Sequence, residues 1–193
     1  TEVSIIEQEA DLGVAAGLDV AVPSFMVEIV ANVSHAARES QHISQRSGVS
    51  VRLSISNAEV MVANAVRRSL RSGATHVVPR IVDLEALPAS TSGKVEIETL
   101  DEGRDAEILL NLVRSAVLAV FKDRVPPETH RAVVDAFEGD VIIDTGEDVT
   151  DEAYAAMLES IPALLAPVAA LLSEVDPGDA ESPAMIASAI EMV

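Results

Sequence analysis

The chain has 193 residues, of which 49 % are apolar and only 2 % aromatic, with a formal net charge of -19 and no cysteine. That length supports one large domain or two small ones around a real core. The missing cysteines exclude a disulfide framework and a Cys-ligated zinc site, and the overall acidity opposes binding to nucleic acid or to an anionic membrane.

Residues 1–22 read as the end of one element and a connector, with two glycines and no clear period. Pro23 is preset for the first turn of a helix, and Phe25, Ile29 and Ala36 give that helix an apolar stripe to about residue 40. The polar run SQHISQRSGVS is a loop. A second helix follows. Its stripe of Ile55, Ala58, Val62, Val66 and Ser69 allows a start capped by Ser50, and Ser56-x-x-Glu59 matches a later capping box. Gly73 is its expected stop. PRIVDLEALP (79–88) predicts a short helix bounded by prolines, and ASTSG (89–93) a linker between domains.

Beyond that linker, KVEIETL (94–100) alternates as a short strand does, and DVIID (140–144) is a second strand candidate. Between them lies the clearest helix, with one face of Ile108, Leu109, Leu112, Val113, Ala116, Val117, Val120 and Phe121. Pro126-Pro127 ends it and starts the next, with Ala132, Val133, Ala136 and Phe137 inward. Three further helical stretches close the chain. The expected fold class is mostly α, with at most two short strands, in segments 1–22, 23–92 and 93–193. No apolar run reaches the about 18 residues of a membrane span, no secretory pattern is visible in the first residues, and a reducing cytoplasm is the expected setting. Asn32-Val33-Ser34 matches a glycosylation acceptor but falls within a helical pattern. The initial Thr1 and the final SAIEMV read as cuts in something longer.

Several chemistries lack their residues. SGK at 92–94 resembles part of a phosphate loop, but Pro88 stands where the first glycine belongs and Val95 replaces the metal-binding hydroxyl. The Asp-Glu pair of TLDEG (99–103) reads as a solvated turn. His35, His42, His76 and His130 have no partners at metal-ligand spacing and read as surface or helix-end residues. DTGEDVTDE (144–152) lacks the alternating ligands of a calcium loop; it reads as a solvated loop whose Asp151 and Glu152 favour the next helix N-terminus. No Ser, His, Asp arrangement stands out, so no catalytic residue is assigned.

The charge is uneven. Residues 23–80 hold seven basic and three acidic residues, a net of +4, while the remainder holds six basic and 29 acidic, a net of -23. Arg46 and Arg52 flank the Gly48-Val49-Ser50 turn. They can be plain surface arginines. They can join Arg67, Arg68 and Arg71 in a basic stripe for nucleic acid, though no aromatic is interleaved for stacking. Or Arg52 can hold a phosphate at a helix start, where the helix dipole and the guanidinium both favour an anion.

Gly48-Val49-Ser50-Val51-Arg52 resembles the Gly-x-Ser-x-Arg signature that opens the third lid helix in AAA+ ATPases of the magnesium-chelatase and MoxR branch. The longer run SQRSGVSVRLSISNAEVMVANAVRR, and the segment VPRIVDLEALPASTSGKVEIETL, are similar to magnesium-chelatase subunit I-like ATPases. The resemblance implies that 1–22 is the end of an ATPase core with its connector, 23–92 a helical lid, and 93–193 a family-specific helical extension. It implies that Arg52 is the sensor 2 residue reaching the γ-phosphate, that Arg46 is a second phosphate or neighbour-subunit contact, and that Gly48 and Ser50 support the turn. ATP and Mg would be cofactors of the longer parent. Its partners would be its own ATPase core, a homo-oligomeric ring and a client protein, without nucleic acid or membrane. The parent's phosphate loop, acidic metal motif, sensor 1 and arginine finger are absent from this chain. Arg67, Arg68 and Arg71 are expected to face solvent or a neighbouring subunit. The competing expectation is a non-enzymatic all-α interaction module.

Overall fold

The computed structural model describes residues 1–13, 17–44, 46, 48–98, 103–138 and 141–193. Its α-helices are α1 (Glu2–Glu9), α2 (Ser24–Glu39), α3 (Val51–Ser72), α4 (Leu87–Ser92), α5 (Asp105–Arg124), α6 (Pro127–Phe137), α7 (Asp151–Ser160), α8 (Leu165–Leu171), α9 (Pro177–Ala180) and α10 (Pro183–Met192). The protein is mostly helical, with one small sheet. In that sheet β1 (Asp19–Val20) runs parallel to β2 (His76–Val77), with Asp19 opposite His76 and Val20 opposite Val77.

Each long helix starts for a local reason. Pro23 caps α2 in an extended conformation. The Ser50 side chain accepts the Arg52 N–H at 3.3 Å to begin α3, which is the earlier of the two starts that the sequence allows. Gly73 ends α3 at φ 78°, a left-handed backbone that suits glycine. α5 has Asp105 and Glu107 in its first turn and Lys122 and Arg124 in its last, which complements the helix dipole. Thr150 caps α7 and Ser182 caps α10.

The main core is mostly aliphatic and runs the length of the chain, from Ile6 through Phe25, Met61 and Val113 to Met192. It therefore includes buried residues from both sides of the boundary expected at 93. α2 packs along α5, and α10 along α7. A smaller cluster of Ala37, Ile43, Leu109 and Leu112 sits where the end of α2 meets the start of α5.

Several local expectations are corrected. The supposed linker is helix: α4 runs to Ser92, its Thr91 is buried, and Asn57 Nδ2 donates to Thr91 Oγ1 at 3.1 Å. Pro88 does not end the element before it, because it occupies the first turn of α4, where a missing N–H costs nothing. The segment ahead of it is a 3-10 helix, Ile81–Ala86. Segment 94–98 contributes one antiparallel bridge, Ile97 to Ile43, and no strand; Thr99 and Leu100 lie outside the described residues. Residues 141–144 are irregular, with Ile142 89 % exposed; Asp140 lies outside the described residues. Nothing in α6 is fully buried: Val133, Ala136 and Phe137 are half-buried, and Ala132 is exposed.

Candidate functional site

The loop that joins α2 to α3 carries the candidate residues. It leaves α2 at Ser40 and is pinned by Ile43, whose bridge to Ile97 is flanked by Ser44 N–H to Glu96 C=O and Glu98 N–H to His42 C=O, both at 2.8 Å. Arg46 is exposed in a turn, while its neighbours Gln45 and Ser47 lie outside the described residues. Gly48 has φ 65° with open space around its missing Cβ, so backbone conformation and not crowding requires glycine there. Val49 packs against the small apolar cluster. Ser50 then caps the helix, and Arg52 projects from its first turn, exposed.

The arginines fall into two groups. Arg38, Arg67, Arg68, Arg71, Arg80, Arg104, Arg124 and Arg131 all pair with carboxylates. The side chains of Arg46, Arg52 and Arg114 have no hydrogen bond or ion pair among the described residues, and only the first two flank the Gly48–Ser50 turn. In a chain with 32 acidic residues this leaves the turn with uncompensated positive charge. Gly48, Ser50 and Arg52 form one contiguous capped turn; Arg46 shares the loop but makes no polar contact with them.

Behind the turn stands a polar relay that the sequence did not reveal. The Arg38 guanidinium, in the last turn of α2, donates to both oxygens of Glu2 on α1, at 2.5 and 2.8 Å. Its Nε donates to the Val49 carbonyl at 3.2 Å. Ser54 Oγ donates to Glu2 Oε1 and shares a 2.6 Å hydrogen bond with Ser34. The Arg38 guanidinium holds the Glu2 carboxyl below its ordinary range, against the opposing pull of burial, and Ser54 helps.

A second polar group has an internal centre and an exposed rim, and it overturns two sequence readings. Arg68 does not face solvent: it is 4 % exposed and donates to both oxygens of Asp83 and to the Val78 carbonyl. The acidic loop 144–152 is not merely solvated. Glu147 pairs with Arg67 and Arg71, Asp148 with Arg71, and Asp151 with Arg68 and Arg80. Arg80, with no exposed surface, donates to the carbonyls of Val149 and Gly146, lies 3.3 Å from Glu191 Oε1 through Nε, and stacks over the Tyr154 ring at 4.9 Å. Tyr154 donates to Glu191 Oε1, whose partner oxygen accepts from Val82 N–H. Burial raises the carboxyls of Asp151 and Glu191 and the Tyr154 phenol. The signal that could have found this cluster is a lone charge inside an apolar window: Arg80 between Pro79 and Ile81, and Glu191 between Ile190 and Met192.

Among the described residues no three metal-type side chains converge. His35 and His42 are exposed, His76 lies in β2, and His130 stacks on Phe121. No single helix among these residues is long and apolar enough to cross a membrane. The chain matches no family model, no curated protein and no solved structure.

Proposed function

We propose that this chain is the lid and helical extension of an AAA+ ATPase resembling magnesium-chelatase subunit I, working in the cytoplasm. In this reading Arg52 is the sensor that reports the γ-phosphate. The single observation that carries it is the unpaired, exposed Arg52 at a serine-capped helix start, in a protein whose other described arginines are mostly tied to carboxylates. A guanidinium held ready without an internal carboxylate is available to an external anion. Arg52 and Arg46 would meet one edge of a triphosphate, and among the described residues no three metal-type side chains converge. ATP, with its Mg ion, would supply the phosphoryl bond to be broken, and the ATPase core of the longer parent would hold both.

The role of this chain is then positional and electrostatic. Arg52 neutralises charge that grows on the terminal phosphate as hydrolysis proceeds. Arg46 offers a second cation on the same loop, toward phosphate or a neighbouring subunit of a homo-oligomeric ring. Once the γ-phosphate leaves, Arg52 loses its partner and α3 is free to turn relative to the core. That turning would be delivered to a client protein, with metal insertion as one such task. The open apolar hollow of about 410 Å³ between Ile81–Ala86 and α5, with Leu118 half exposed, favours a second reading as a protein-interaction module without catalysis.

The test is ATP hydrolysis by the full-length protein, wild type beside Arg52→Ala. The expected loss is at least a hundredfold, roughly 3 kcal/mol of transition-state stabilisation. Equal rates would remove Arg52 from the mechanism. A folded, assembled wild type without hydrolysis would leave the interaction module as the better reading.

A further inference from the structure

We propose that Arg38 is a positioning residue for Arg52, acting through the Val49 carbonyl with Glu2 as its anchor. This deepens the sensor reading and rests on it. Among the described residues the Gly48–Ser50 turn is held by the Val49 side chain in the small apolar cluster and by Arg38 Nε on the Val49 carbonyl. Without the second hold, the left-handed Gly48 is free to swing the turn, and with it the Ser50 cap and the start of α3. Arg38 is itself fixed by a two-pronged grip on Glu2, a geometry that a lysine cannot reproduce. Glu2 is also bound by Ser54 of α3. The carboxylate of α1 therefore joins the end of α2 to the first turns of α3. Since α1 precedes the lid in the chain, the relay also links whatever moves α1 to the aim of Arg52. The arrangement serves a nucleotide phosphate contact by making it repeatable, not by touching the phosphate.

The experiment uses the full-length protein and four variants: Arg38→Gln, Glu2→Gln, Arg52→Ala and the double variant Arg38→Gln/Arg52→Ala. Hydrogen exchange without nucleotide reads the turn directly. Arg38→Gln is expected to speed exchange of the Arg52 and Leu53 amides at least tenfold, with the second half of α3 unchanged. ATP turnover reads the consequence. Arg38→Gln is expected to lower kcat at least tenfold with a smaller change in KM, Glu2→Gln to follow in the same direction, and the double variant to be no slower than Arg52→Ala. Thermal unfolding of each variant separates this from general loss of fold; if Arg38→Gln unfolds, Glu2→Gln carries the test. If Arg52→Ala is slow while Arg38→Gln and Glu2→Gln match wild type, the positioning role is overturned and the sensor reading stands. Additive losses in the double variant also overturn it. If Arg52→Ala matches wild type, both ideas fall.

Discussion

Arg80 has no exposed surface, yet it carries a full charge beside Asp151, Glu191 and the face of Tyr154. Removing it would leave the buried Glu191 without its cation and Asp151 with only the more distant Arg68, the costly way to break an internal ion cluster. Arg80→Met should therefore cost about 3–5 kcal/mol of unfolding free energy, measured by urea denaturation. Arg67→Ala, whose side chain is 55 % exposed against Glu147, should cost under about 1 kcal/mol. Equal losses would refute the distinction. Glu191 adds a pH signature. Burial raises its carboxyl, as does Asp83; Arg80, the Val82 N–H and Tyr154 lower it; the net is upward. A carboxyl raised by folding takes up its proton first in the folded state as pH falls. Folding then gains stability as pH drops through the raised value toward the unfolded value of about 4.3, and loses it again as pH rises. Relief of the general acidic repulsion acts in the same direction, so the comparison must be with a variant. Between neutral pH and the unfolded value of about 4.3, Tm should depend less on pH in Glu191→Gln than in wild type. An unchanged slope would show that Glu191 keeps its ordinary value. Glu2 has the opposite sign: its carboxyl is lowered, so its contribution is present above the unfolded value and lost as pH falls through the lowered one.

At the scale of elements, the two ends of α3 set the proposed sensor role apart from stability. Ser50 and Gly73 both satisfy helix-terminal groups, and replacing either with alanine should cost about 1 kcal/mol. If Arg52 is the proposed sensor, only Ser50→Ala should also slow ATP turnover, because only that cap adjoins Arg52. A parallel loss in Gly73→Ala would mean that turnover follows stability alone. These caps, and the apolar faces of α2, α3 and α5, were legible because they are written in neighbouring residues. The two-residue strands were not, since Asp19-Val20 and His76-Val77 are too short to show a period. Residues 89–93 have a linker's composition, but Asn57, 34 positions from the buried Thr91, holds 89–92 as helix. Arg68 failed for the same reason: it was read with Arg67 and Arg71 as a surface stripe, while its partner Asp83 lies across a turn that no helical spacing reveals. The candidate turn itself was legible as Gly48, Ser50 and Arg52. The Glu2–Arg38–Val49 relay behind it was not, because it joins three elements by long side chains.

For the whole molecule, the central issue is whether 23–92 and 93–193 behave as separate bodies. The core includes buried residues from both, with Phe25 and Val113 in one cluster. The polar contacts cross as well: Ser188 donates to the Pro79 carbonyl at 2.6 Å, Glu191 accepts from Val82 N–H, and Glu28 pairs with Arg124. Apolar burial on this scale is the main favourable term in folding, so exposing one half would uncover much of what stabilises the other. The expected outcome is one cooperative unfolding transition for residues 1–193. The protein supplies its own local probe, because it has one tyrosine and no tryptophan. Tyr154 is buried against Arg80 and Glu191, so its fluorescence reports the C-terminal half where it meets the 3-10 segment. Far-ultraviolet circular dichroism reports all the helices together. Urea midpoints from the two signals should coincide. A tyrosine transition that is complete while much of the helical signal persists would show that the two segments unfold independently. In that event α3 could turn without carrying the C-terminal helices with it. On the proposed sensor reading, coincident midpoints would make the C-terminal half a lever fixed to α3, carried along if Arg52 loses a bound phosphate.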